Sequence, residues 1–229
     1  MAKVFIAPGH GGSDSGAVAN GFKEKDLNLA ISLACRDELK RHGVTVEMSK
    51  DVDKGESLAQ QVNKCNAFNP DLAVNIHNNA GGGDGAEVFY SINGGKGKTL
   101  AVNILDEIVK IGQNSRGAKT RKNSSGIDYY GFIRSTKAPA VIVECAFLDH
   151  KKDIQIIDTA AEQKAMGIAI AKGVLKTLGI AYKAQEAPEK AEATGKLYRV
   201  QVGAFAVKAN AEALLKKLKA AGYDDAFIV

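Results

Sequence analysis

The arrangement of apolar residues between positions 3 and 178 constrains this chain more than any other property. Short apolar runs suited to buried strands, at residues 3–7, 44–48, 72–77, 87–92 and 140–145, alternate with stretches of helical periodicity. Leu27, Ala30, Ile31, Ala34 and Leu39 recur at helical spacing and form an apolar stripe that ends near Gly43. Further helices are predicted at residues 58–68, 100–111 and 163–178. The last carries Met166, Ile170, Val174 and Leu178 on one face, with Gly179 as its stop. Strands alternating with helices predict an α/β fold, an open and mostly parallel twisted sheet flanked by helices on both faces.

The pattern breaks once. Residues 183–195, KAQEAPEKAEATG, hold no large apolar side chain and cannot offset the entropy of their own ordering, so they read as a linker. This predicts a large domain at 1–182 and a small one at 196–229. In the tail, residues 198–205 alternate like a strand and residues 210–221 read as a helix with Ala211, Leu214, Leu215 and Leu218 inward. Gly222 ends it, and a second strand is expected at 226–229. Such a β-α-β fragment is below the roughly 40 residues that fold unaided. Two tails could pair into a four-stranded unit and make the chain a homodimer.

Composition excludes several classes. No run of about 18 apolar residues is present, so no membrane span is expected. The opening residues lead straight into a strand without the apolar region of a secretory signal, so synthesis in a cytoplasm is expected. Cys35, Cys65 and Cys145 are three in number and spaced unlike a metal motif, which suits buried free thiols. The net charge of +5 favours an acidic partner, nucleic acid or an anionic wall polymer, without choosing between them.

Open α/β sheets bind ligands at the carboxyl ends of their strands. Three such ends carry reactive groups. The first runs into Pro8-Gly9-His10-Gly11-Gly12-Ser13-Asp14, a glycine-rich loop holding a histidine; the third ends in His77-Asn78-Asn79; the last places Glu144 where an apolar run finishes. Singly, a loop histidine caps a helix or meets solvent, and a strand-end carboxylate bonds to loop amides. Jointly, His10, His77, Glu144 and Glu24, which lies at the head of the first helix, are a set of another kind. Two imidazoles and one carboxylate make a frequent catalytic zinc set, and a further carboxylate can serve as general base. The spacing of His10, Glu24 and His77 is nonetheless no local zinc motif.

These residues resemble the zinc-dependent N-acetylmuramoyl-L-alanine amidase family of peptidoglycan hydrolases, over roughly residues 3–178. Its opening histidine loop is similar to Pro8-Gly9-His10-Gly11-Gly12, followed by Asp14-Ser15-Gly16-Ala17. Its second ligand falls on Glu24. Its Ser-Ile-His-x-Asn strand end is matched by Asn75-Ile76-His77-Asn78-Asn79, with Asn75 replacing serine. Its closing glutamate segment is matched by Pro139-Ala140-Val141-Ile142-Val143-Glu144, after Arg116-Gly117; Ala146-Phe147-Leu148-Asp149 stands where Gly-Phe-Leu-x-Asn is usual. The resemblance implies one zinc per chain on His10, Glu24 and His77, with Glu144 catalytic and Asn79 contacting substrate. It also implies peptidoglycan as partner, as for a phage endolysin or a sporulation autolysin that meets the wall after a pore opens or a cell lyses. The tail, from Tyr198-Arg-Val-Gln-Val-Gly-Ala-Phe205, resembles the first half of a SPOR repeat, a glycan-binding module.

Other readings weigh less. Asn93-Gly94-Gly95-Lys96-Gly97-Lys98-Thr99 imitates a phosphate-binding loop, but Ile92 occupies the place of its first glycine, so a flexible loop at the rim of the site is expected. No nucleic-acid motif is found. Alternation turns Cys145 away from Glu144 and into the core, while His42 and His150 read as surface residues. A glycan-binding protein without hydrolysis is the alternative function, and the intact His10, Glu24, His77 and Glu144 set argues against it.

Overall fold

The computed structural model describes residues 1–184, 201–220, 223 and 226–228. The chain divides into two compact units, Met1–Ala184 and Gln185–Val229.

In the first unit a six-stranded sheet is built from β1 (Lys3–Pro8), β4 (Thr45–Met48), β5 (Leu72–Asn79), β6 (Ala86–Tyr90), β7 (Ser115–Lys119) and β8 (Ala140–Phe147), in the order β4-β1-β5-β8-β6-β7. All neighbours are parallel except β6, which runs antiparallel to β8. The sheet is therefore mostly parallel, as the alternation predicts. The reversal at β6 puts its first residues beside the carboxyl ends of β5 and β8, and this brings Glu87 to the site. A small hairpin, β2 (Val18–Ala19) and β3 (Phe22–Lys23), turns at Asn20-Gly21, both with positive φ, in the two-residue pattern that favours Asn-Gly.

Helices cover both faces. The helices α1 (Glu24–Arg41), α3 (Gly95–Lys110) and α6 (Ala160–Leu178) bury Leu27, Ile31, Ile104, Met166 and Ile170 against Val4, Ile6, Val74, Val141, Val143 and Cys145. The opposite face is thinner: α2 (Leu58–Phe68) and α4 (Gly131–Ser135) bring Val62, Cys65 and Phe132 against Phe5, Ala7 and Ala73. Parallel strands buried on both faces explain why these runs are continuously apolar. Gly167 and Gly173 let α6 lie close, since a Cβ there would meet the Ile31 carbonyl and the Ile104 backbone. Capping boxes, Ser57 with Gln60 and Thr159 with Glu162, start α2 and α6, each cap being worth about 1 kcal/mol. A four-residue helix, α5 (Lys151–Ile154), is capped by His150.

Three expectations are corrected. The Asn93–Thr99 stretch is no rim loop: Gly94 and Gly95 turn the chain with positive φ and α3 begins at Gly95. His42 is no solvated surface residue. Its side chain is 2% exposed, stacked on Tyr182, with Nδ1 bonded to the Glu38 carbonyl and Nε2 accepting from the Lys183 amide. In the second unit α7 (Lys208–Ala220) carries the expected half-buried stripe of Ala211, Leu214, Leu215 and Leu218. Residues 201–205 and 226–228, however, form no strand, while Tyr198, Arg199 and Val200 lie outside the described residues. Two short strands without a third are marginal because their backbone groups lack partners. Among the described residues, pairing of two β-α-β halves into a dimer has no strands to build on.

Candidate metal centre

Four predicted residues converge at the carboxyl edge of the sheet. His10 follows β1 with a left-handed φ of 57°, stabilised by Gly11 and Gly12, which share positive φ. Its Nδ1 is held 2.8 Å from Asp14 Oδ2, which aims Nε2 at Glu24 Oε2, 3.2 Å away. His77 on β5 presents Nδ1 to Glu24 Oε1 at 3.0 Å. The ligand atoms of His10, Glu24 and His77 all lie within 4.8 Å of one another, and the two rings meet edge to face at 5.0 Å.

The centre is built tightly. A Cβ on Gly9 would enter the His77 ring, and one on Gly16 would strike Glu24 and His10. Glu24 is buried at the start of α1, where its Oε2 accepts from the Ala17 amide and its Oε1 from Asn28 and the Asn78 amide. Burial opposes its ionisation, but hydrogen bonds from His10 and His77 outweigh this and hold the carboxyl well below the usual range. The same Glu24 contact, against a desolvation cost and with help from Asp14, pushes the His10 imidazole up to about 9. Two histidines clasping one carboxylate, with an orienting carboxylate behind, is a donor set that fits a divalent metal.

Glu144 on β8 is in direct register with His77 on β5 and with Glu87 on β6, so the three side chains share one face across adjacent strands roughly 4.8 Å apart. Burial pushes its carboxyl up to about 7, opposed by His77 and reinforced by the negative charges of Glu24 and Glu87. Among the described residues no hydrogen bond engages its carboxylate. Cys145, next along, is fully buried on the opposite face, as alternation predicts. Asn79 lies at the end of β5, where its amide donates to Glu87 Oε1 at 3.1 Å and its oxygen accepts from the Ala80 amide.

Two residues of the site escaped the sequence reading. Glu87 is buried and bound by Asn79, by Arg116 at 3.1 Å and by Lys119 at 2.5 Å. Glu87 heads an apolar strand whereas Glu144 closes one, so the strand-end pattern that marks Glu144 does not reach it. Lys50, buried after β4, donates to the His10 carbonyl, while Lys25 and Asp53 hold Gly12. Both segments that depart from the resemblance have structural roles: Asn75 donates to the Ala7 carbonyl, joining β5 to β1, and Asp149, in the segment after Glu144, accepts from the Gly81 and Gly82 amides.

The family model for N-acetylmuramoyl-L-alanine amidase matches residues 4–176. The chain belongs to this family. A SPOR domain model matches residues 170–229, so the amidase carries a SPOR domain at its C-terminal end. N-acetylmuramoyl-L-alanine amidase CwlM of Bacillus licheniformis is 36% identical over 98% of this chain and 83% of its own length. The sporulation-specific N-acetylmuramoyl-L-alanine amidase of Bacillus subtilis is 34% identical over the same shares. Among solved structures, Cwp6 from Clostridium difficile superposes with a TM-score of 0.76 at 40% identity, over 77% of this amidase and 29% of the longer Cwp6 chain.

Proposed function

We propose that this amidase hydrolyses the bond between the lactyl carbonyl of N-acetylmuramic acid and the L-alanine amine of the stem peptide in bacterial peptidoglycan. It would do so with one zinc ion on His10, Glu24 and His77 and with Glu144 as general base. The observation that carries this reading is the convergence of those three ligands within 4.8 Å beside an uncommitted carboxylate in register with His77. When bound, zinc would supply Lewis acidity, polarising a carbonyl oxygen and acidifying a water. Glu144, poised near neutrality, accepts the proton of the attacking water and returns it to the leaving nitrogen as the C–N bond breaks. Asp14 keeps His10 in the ligand tautomer, and Lys50, Lys25 and Asp53 hold the loop that carries it. Glu87, clamped by Arg116 and Lys119, adds negative charge beside Glu144, and Asn79 is the proposed contact for substrate.

Residues 1–182 are proposed as the catalytic domain, 183–195 as a linker and 196–229 as a module that holds the enzyme on wall glycan, which the SPOR match supports. The sporulation-specific relative favours a role in lysis of the wall by the producing cell. Turbidity of purified cell walls tests the catalytic reading. Added enzyme should clear them, a chelator should stop clearing, and zinc should restore it. Walls that stay turbid in all three conditions while retaining the protein would identify a binder instead.

A further inference from the structure

Behind the loop that carries His10 lies a cleft of about 220 Å³ with a different chemistry. It is lined by Arg36 and Lys40 of α1, by Met48 at the end of β4, whose sulfur meets Arg36, and by Ser49, Lys50, Asp51 and Lys54 of the segment that follows, so four cationic side chains face one carboxylate. Two of these residues are buried with unmet bonding capacity. Lys50 is 4% exposed, and among the described residues its ammonium donates only to the His10 carbonyl, leaving two of its three N–H donors without a protein acceptor. Of the carboxylates nearby, Asp53 is committed to Lys25 at 2.6 Å and Glu56 to Lys64 at 2.5 Å, which leaves Asp51 as the one acid in the lining against four cations. The Ser49 hydroxyl is 2% exposed as a residue and has no hydrogen-bond partner. Arg36 bonds Asp37 through Nε, with the rest of its guanidinium free of carboxylates.

A buried ammonium without a carboxylate and an orphaned buried hydroxyl are both costly, and one multivalent oxyanion relieves both. Donors reach this cleft from α1 on one side and from Ser49, Lys50 and Lys54 on the other, which suits the several divergent oxygens of a phosphate better than a planar carboxylate. We propose that this cleft binds a phosphate group, either free or within the phosphodiester of an anionic wall polymer. It is separate from the hydrolytic centre in ligand and in chemistry, and borders the His10 loop at Lys50 and Lys54.

The test is calorimetric titration of the intact chain with inorganic phosphate, zinc-loaded and zinc-stripped, at constant ionic strength. Saturable binding in both forms is expected. Binding should weaken roughly 10- to 100-fold in an Arg36→Gln, Lys40→Gln double variant and by a smaller factor in Ser49→Ala, which removes only an unbonded hydroxyl and keeps the fold. Phosphate binding that vanishes with zinc and survives in the double variant would place the anion on the metal and overturn the proposal. So would heats no larger than those of matched chloride. Sedimentation with cell walls, native or acid-extracted to remove phosphodiester polymers, separates the two sources. A polymer ligand predicts loss of binding by the double variant on native walls alone; equal behaviour on both wall types assigns the cleft to free phosphate. Wall clearing by the double variant on extracted walls reports separately on the amidase reading.

Discussion

Zinc binding at the proposed His10, Glu24 and His77 site is expected to depend on the protonation of His10. In the metal-free chain the Glu24 carboxylate, against the cost of burial and with Asp14 assisting, pushes the imidazole up to about 9. A ring with that value is almost fully protonated at pH 7, whereas an ordinary histidine near 6.5 is only about one quarter protonated. Metal ligands must be neutral imidazoles, so binding at pH 7 must expel about one proton from His10. The raised value therefore opposes the metal at low pH and ceases to oppose it as pH rises towards 9. Affinity should tighten about tenfold for each pH unit between 6.5 and 8.5, roughly 2.7 kcal/mol over that span. Zinc titrations by calorimetry in buffers of different ionisation enthalpy count the proton directly. Release of less than about 0.3 protons attributable to His10 at pH 7, with affinity flat across the range, would refute the argument. The Asp14→Asn variant serves as a control, because it removes one carboxylate that raises His10, so the pH above which zinc affinity levels off should fall.

Three further outcomes are expected. Because burial pushes Glu144 up to about 7 from roughly 4.3 in the unfolded chain, the folded state holds that proton more tightly and loses stability as pH rises between those values. Metal-free Glu144→Gln should accordingly be about 1–3 kcal/mol more stable than wild type in urea at pH 8 and no more stable at pH 4; equal stability at both would show a solvated carboxylate. Glu87→Gln removes a like charge in register with Glu144 and leaves Arg116 and Lys119 uncompensated, so the acid limb of the kcat/KM profile should move to lower pH. A limb that stays put would detach Glu87 from Glu144. Gly173→Ala drives a Cβ into the Ile104 backbone and should cost about 1–3 kcal/mol by denaturant melt, with the chemistry at the metal centre untouched.

The strands that build the site were readable because they are buried on both sides: β1, β5 and β8 appear as unbroken apolar runs. Edge strand β7, Ser-Arg-Gly-Ala-Lys, has no such run and gains its structure only by pairing with β6. Asn20-Gly21 offered a hairpin signal that the search for apolar runs passed over. In the tail, alternation alone suggested strands, yet alternation describes a face and not the neighbour that a ladder needs. At the site, His10, Glu24, His77 and Glu144 stood out because each is a reactive group where an apolar element ends. Glu87 depends on the antiparallel turn of β6, a feature of topology that no local pattern displays. Lys50 is separated from His10 by 40 residues and meets it only through the packing of the segment after β4 onto the glycine loop.

Mass spectrometry of peptidoglycan digested by wild type and by Glu144→Gln tests the central claim most directly. With zinc present, wild type should release free stem peptides that begin with an L-alanine amine, leaving the glycan strands intact. Glu144→Gln should release none while still binding one zinc per chain. Products cut within the glycan or within the stem peptide, or free stem peptides at wild-type levels from the variant, would contradict the account.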